Sequence, residues 1–367
     1  NILNNTTLSI GVFNTTNILG GTPSVPPTMN LTVGSRLNIT SDSAVIGNGV
    51  TLVKDGAFGA SDQIGSLTIQ SGGVVTHSPR LLGGLVLNVT GTLDVQAGGL
   101  IDLNAKGLRG GTNGSAFGST GVAFNPSTGV IVAGAGGGTR TGAGASYGGQ
   151  GATSSSGAGS NAPYGQLENP QQLGSGGGAG IAIPGPGGHG GGRATVTAGS
   201  FVVDGSVRAN GGAGTNGGND HIGGGGSGGA ILIQATTLSG SGTIQAIGGS
   251  GGSGANGPSG SGSGGRIAIF YSTLSLADAN LSARGGNGGN LASGGTVYLK
   301  DNAQTYGDLI IDNGNVASSF NTPLKTALSP VAFDSLRISN QGRLSVAGSD
   351  VASFTVEQPM APAMGAA

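Results

Sequence analysis

Cysteine is absent from this 367-residue sequence, and charged residues are scarce. Without cysteine there can be no disulfide, thiolate metal site or cysteine nucleophile, and the redox compartment is left open. Only 8% of residues are charged and 4% aromatic, whereas ordinary globular domains carry about 25% charged residues. Most of the titratable groups that enzyme chemistry needs are therefore missing. The net charge of −1 gives no electrostatic footprint for nucleic acid or an anionic membrane. No apolar run of about 18 residues occurs, so no membrane span is expected. The chain opens at Asn1 with neither methionine nor a basic-then-apolar leader, a form that fits a mature secreted protein after signal removal and equally a trimmed fragment.

Glycine is what the sequence has in abundance, at 82 residues. Hydrophobic residues still make up 35% and little net charge holds the chain open, which argues against disorder. Collagen is excluded, since no strict Gly-X-Y period appears and prolines number only 14.

The glycines punctuate a repeat. After Gly191-Gly192, Gly228-Gly229 and Gly264-Gly265 come RATVTAGSFVVDGSVRAN, AILIQATTLSGSGTIQAI and RIAIFYSTLSLADANLSAR, each closed by another double glycine. The starts are 37 and 36 residues apart. Apolar residues alternate with period two, the mark of strands with one buried face. The spacing aligns Ala194, Val196 and Ala198 with Ile231, Ile233 and Ala235, then with Ile267, Ile269 and Tyr271. Phe201, Leu238 and Leu274 share the next position, and Val207, Ile244 and Leu281 a later one. An earlier segment, LVLNVTGTLDVQAGGLIDLNA, reads as three short strands turning at Gly91 and at Gly98-Gly99. Helical periodicity is absent, so almost no α-helix is expected.

Stacked units of this kind make an all-β fold, a right-handed parallel β-helix (solenoid) with long glycine-rich excursions. The alternative is an antiparallel β-sandwich, because paired strands with tight glycine turns can also be hairpins. The chain divides into a strand-rich cap or strand-exchange segment (1–63), solenoid rungs (64–106), a glycine-rich excursion (107–192), solenoid repeats (193–300), and C-terminal strands with a Pro- and Ala-rich tail (301–367).

GGAILIQATTLSGSGTIQAIGG, its glycine spacer and GGRIAIFYSTLSL resemble the glycine-rich passenger regions of secreted bacterial surface proteins of the adhesin or autotransporter type. The resemblance covers roughly residues 64–300. It implies a β-helical, extracellular, adhesive protein.

Sites of chemistry are few. The tract GGGGSGG at 223–229 leads into a strand, whereas a phosphate cradle opens onto a helix and, in the Walker form, carries a lysine. The lysines are Lys54, Lys106, Lys300 and Lys325, and no GK[ST] occurs. Asn219-Asp220-His221 sets a carboxylate beside an imidazole, but with no further ligand nearby it reads as a solvated loop pair. His77 reads as an ordinary strand residue. GGNGGNLASGG and GGSGGSGANGPSG carry Asn and Ser where a calcium β-roll repeats aspartate. Asp94, Asp102 and Asp204 read as solvated wall carboxylates rather than a hydrolytic pair. Flat Thr-x-Thr ladders of an ice-binding kind do not recur.

No catalytic, cofactor or metal residues are therefore assigned. Candidate glycan acceptors in N-x-[ST] are Asn4, Asn5, Asn14, Asn30, Asn38 and Asn88. The segment Leu8, Ile10, Val12 and Phe13 is a candidate assembly strand for a neighbouring subunit. The glycine tracts are expected to pack against the strand wall or an adjoining subunit, because ordering glycine costs much backbone entropy. The expected function is an extracellular structural protein, a self-assembling fibre subunit or surface adhesin without enzyme activity or cofactor. Its expected partners are itself, head to tail, and surface polysaccharide. The alternative is a β-helical polysaccharide-active enzyme or carbohydrate-binding module.

Overall fold

The computed structural model describes residues 8–10, 28–31, 36–39, 43–58, 62–112, 119–180, 185–216, 222–348 and 354–357, with side-chain burial assigned from Ser43 onward except at 57–58. The chain is almost entirely β, and its sheets are mostly parallel. One 3₁₀ turn, Asp278–Asn280, is the single complete helical element among the described residues.

Two ladders organise the molecule. The larger takes ten strands in chain order, among them Ser66–Ile69, Leu85–Val95, Arg193–Val203, Ala230–Ser239, Arg266–Leu274 and Thr296–Asp301. The smaller takes seven, also in chain order, from Thr28–Leu31 to Leu281–Ser282. The chain alternates between them. Arg193–Val203 belongs to the large ladder and Ser206–Arg208 to the small one, and the following strands, Ala230–Ser239 and Thr243–Gln245, repeat that step. The two strands of a repeat therefore do not pair with each other, as a hairpin sandwich would require. The large ladder is parallel until Thr296–Asp301 meets Gly307–Asp312 in antiparallel register.

Register follows the repeat spacing residue by residue. Ala194 lies opposite Ile231, Ile231 opposite Ile267, and Ile267 opposite Val297. Phe201, Leu238 and Leu274 form a second row. In the small ladder Leu52, Val75, Ile101, Val207, Ile244 and Leu281 stand in one column. All six are buried within one continuous hydrophobic core. Each such side chain contributes about 1.5–3 kcal/mol on leaving water. A slip of one residue would turn a whole column outward, so the alternation pins the register.

Gly91 does not end a strand. Leu85–Val95 runs straight through it, and the register shifts by one residue opposite Ala198–Ser200. The extra residue is absorbed as a β-bulge rather than a corner.

The alternation also breaks where a second layer covers the wall. Ala230, Ile231, Leu232 and Ile233 are all buried, as are Arg266 to Ile269. Leu232, Ala268 and Tyr298 face outward into a second cluster formed with Leu167, Leu309, Leu324 and Phe333. Ala230 packs with Tyr147 and Tyr164 from the glycine-rich excursion. That excursion thus lies against the strand wall of its own chain.

The glycine tracts themselves form a hydrogen-bonded bundle. In the central segment 222–229, Gly223, Gly226 and Gly229 donate to Thr215, Gly212 and Ala209. Gly224 and Ser227 donate to Gly178 and Ser175, while Gly225 and Gly228 donate to Gly260 and Ser263. Its carbonyls accept from three further segments: Ile222 and Gly225 from Gly142 and Ala145, Gly224 and Ser227 from Gly188 and Gly191, and Gly226 from Gly249. Among the described residues, segment 222–229 therefore has six neighbours, bonded at 2.7–3.1 Å. The period of three is that of polyproline II, which makes no internal hydrogen bonds and turns its polar groups outward. Packing this close leaves no room for a side chain: a methyl on Gly226 would lie 2.1 Å from the His189 carbonyl oxygen.

Candidate functional site

The acidic residues of the wall do not converge. Asp94 accepts from Gln96 Nε2 at 3.1 Å, and Asp102 pairs with Arg208 at 3.0 Å while accepting the Asn104 N–H. Asp204 accepts from the Ser241 N–H and hydroxyl at 2.9 and 3.0 Å. Each carboxylate is used in a local turn or between neighbouring strands. Among the described residues no three His, Cys, Asp or Glu side chains gather as a metal site.

His77 is not an ordinary strand residue. It lies just past the strand Val74–Thr76 and is wholly buried. Its Nδ1 stands 2.8 Å from the Ser78 carbonyl and its Nε2 accepts the Arg193 N–H at 3.3 Å. One neutral tautomer, with the proton on Nδ1, satisfies both contacts. Loss of solvation pushes its pKa below the ordinary imidazole value, outweighing the Ser78 carbonyl and the Asp55 charge. His189 lies in the glycine bundle, where Nδ1 takes the Gly110 N–H at 2.9 Å. Asn219, Asp220 and His221 lie outside the described residues.

Leu8 and Ile10 belong to the strand Leu8–Ile10, which pairs in parallel with Arg36–Ile39 of the same chain. Val12 and Phe13 lie outside the described residues, as do Asn4, Asn5 and Asn14. Asn30 and Asn38 sit within strands, and Asn88 is half-buried in the large ladder opposite Thr197.

The densest chemistry lies where the excursion meets the wall. Arg266 opens its strand and is fully buried. Its Nε and Nη2 donate to the Tyr164 carbonyl at 3.2 and 3.1 Å, and its Nη1 donates to Thr296 Oγ1 at 3.2 Å. The guanidinium also lies 5.7 Å from the Tyr147 ring centroid. All these partners are neutral, and no ion pair involves Arg266 among the described residues.

Tyr147 and Tyr164 are buried with ring centroids 4.8 Å apart, and Phe124 meets Tyr164 edge-on at 5.5 Å. Tyr164 Oη donates to the Leu173 carbonyl at 2.6 Å and accepts from Ser175 Oγ at 2.9 Å. Burial drives its pKa well above the phenol value. Tyr147 is pushed up to about 12 by the same loss of water. The Gln172 backbone lies near Tyr147 Oη, yet no group meets hydrogen-bond geometry with that oxygen.

Above this cluster opens a cleft of about 440 Å³. The turn Phe124–Gly129 forms one wall, Tyr164–Gln172 supplies the floor and a second wall, and Lys325 and Thr326 close the far side. This volume is within the range of small-ligand pockets, about 300–1,000 Å³. Asn125, Gln166, Asn169, Gln171 and Gln172 bring amide side chains to the lining, with Phe124 half-buried at the edge.

Sequence reading missed this cluster, whose parts come from residues far apart in the chain. One signal was present: Arg193 and Arg266 each follow a double glycine and stand at the same position of the first and third units, with Ala230 between them. An arginine recurring at the mouth of an otherwise apolar strand marks a built polar environment. The chain matches no protein-family model, no curated protein and no solved structure.

Proposed function

We propose that this chain is an extracellular structural protein, a fibre subunit or surface adhesin built on a right-handed parallel β-helix. The observation that carries this reading is the regular alternation of the chain between two parallel ladders in register. A chain that visits two sheets in turn and advances one strand each time is most simply a coil, and parallel crossovers are almost always right-handed. Stiffness then comes from backbone ladders, aliphatic columns and the glycine bundle rather than from any reacting group.

Two further features support assembly. The small ladder ends at Leu281–Ser282 with no strand on its outer side among the described residues. An open strand edge invites addition of another chain. Leu8–Ile10 is paired within its own chain by only three residues, which makes exchange onto a neighbour cheap. No helix among the described residues is long and apolar enough to cross a membrane.

Electron microscopy of the purified chain tests the proposal. Filaments that shorten or vanish when residues 1–20 are deleted would support head-to-tail exchange. A monodisperse monomer at high concentration would remove the fibre reading.

A further inference from the structure

We infer that the cleft between Phe124 and Lys325 binds an acidic saccharide, a chain containing hexuronate. This deepens the adhesive part of the reading above and rests on it, while requiring no assembly.

Two buried polar atoms lack partners beside Gly165: Gln172 Oε1, on a residue that lines the cleft, and Tyr147 Oη, on a residue wholly buried behind it. They converge on Gly165, which lines the cleft: a methyl there would lie 2.7 Å from Gln172 Oε1 and 3.4 Å from Tyr147 Oη. The phenol offers a proton and the amide carbonyl a lone pair. A sugar hydroxyl in the cleft can donate to the Gln172 carbonyl oxygen, the one of the two that belongs to a lining residue. Leaving a buried acceptor unmet is costly, so a ligand that meets it gains specificity as well as affinity. Phe124, half-exposed at the rim, offers an apolar face for the C–H side of a pyranose ring.

Charge selects the acid. Arg266 lies buried beneath the Tyr164 floor with neutral partners only. Arg193 reaches Gln171 on the cleft wall, and Lys325 at the far side has no acidic partner among the described residues. Against these three cations stands Glu168, whose carboxylate is engaged by Thr326 Oγ1 at 2.9 Å and the Ala327 N–H at 2.7 Å. Arg266 makes no ion pair among the described residues and the Glu168 carboxylate acts on it only through space, so the field of the buried charge is offset in part and still reaches through low-dielectric surroundings. The cleft is therefore positive although the chain as a whole is not. A carboxylate at Lys325 with a hydroxyl at Gly165 matches both features.

The test is calorimetric titration of the full chain, taken as its monomeric fraction, with oligogalacturonate of three to six units. Maltooligosaccharides of the same length serve as the neutral comparison. Saturable binding of the uronate is expected, at least about tenfold tighter than the neutral sugar, since charge-assisted hydrogen bonds are about twice as strong as neutral ones. Lys325→Ala and Phe124→Ala should each weaken uronate binding about tenfold, with unchanged thermal melts showing that the fold is intact. Asn169→Asp, on the exposed wall, should weaken the uronate and leave the neutral sugar unaffected. No binding at all, equal affinity for both sugars, or full affinity in the Lys325 and Phe124 variants would each overturn the assignment. Monomers that bind uronate but never form filaments would leave it standing and remove only the fibre reading.

Discussion

Gly224 approaches Ala143 so closely that a methyl on Gly224 would stand 1.9 Å from the Ala143 carbonyl oxygen. That oxygen belongs to backbone already committed to Gly178, whose N–H it accepts at 2.9 Å. Neither chain can yield without breaking bonds to its other neighbours. Gly224→Ala is therefore expected to cost about 3 kcal/mol, the upper end of the usual overpacking range. Gly83, with nothing within 4 Å of its Cβ position, supplies the control. Urea unfolding should show Gly83→Ala near the parent and Gly224→Ala well below it. Equal midpoints would mean that the bundle does not contribute to stability.

The column Leu52–Val75–Ile101–Val207–Ile244–Leu281 makes a second prediction. Ile244→Ala removes a wholly buried side chain between two stacked neighbours. The expected loss is about 2–5 kcal/mol, set by how far the column can close the gap. Thr273→Ala, on the exposed side of the large ladder, should change stability by no more than about 0.5 kcal/mol. Similar losses at the two positions would show that the column is not the stabilising element.

Acid should weaken the fold through His77. Its folded pKa is depressed by burial, so the unfolded chain binds the proton first. The stability gained from neutral His77 is full above the unfolded value of about 6.5 and is lost as pH falls below it, levelling out beneath the folded pKa. His77→Gln can keep the two hydrogen bonds without titrating. Unfolding midpoints measured from pH 8 to 5 should fall more steeply for the parent than for the variant. Parallel slopes would assign the acid sensitivity to other groups.

The hairpin strand Ile131–Ala133 is apolar and bare. Val130, Ile131 and Val132 are 60%, 44% and 37% exposed, with no charge among them. An uncharged apolar edge promotes pairing with other chains, and a lysine on it opposes pairing. Ile131→Lys should lower light scattering at matched concentration and narrow any filament bundles, with stability within about 0.5 kcal/mol of the parent. Unchanged scattering would place lateral contacts elsewhere.

The repeat was legible because two signals coincide on the same residues. Val207 and Ile244 alternate with the polar neighbours Ser206, Arg208, Thr243 and Gln245 and recur 37 residues apart, so pairing and facing are both written in the string. Gly91 misled because a glycine between two apolar runs marks a bulge as readily as a turn. The order of the glycine tracts was legible in outline only. Hydrogen bonds such as Gly226 to Gly212 leave no side-chain pattern beyond a period of three, and nothing in the tracts names the partner. The cleft was hidden for a different reason. Phe124, Tyr164, Arg266 and Lys325 are neighbours only because the excursion folds back on the wall.

Each unit of 36 or 37 residues adds one strand to the large ladder, one to the small ladder and one tract to the glycine bundle. All three parts grow by the same increment. Duplicating the stretch that begins at Ala230 would thus lengthen the molecule without creating a new kind of interface, since the inserted copy meets above and below what its parent already meets. Such a gene can change its protein's reach by unequal crossing-over alone, and variation in length becomes cheaper than variation at any glycine.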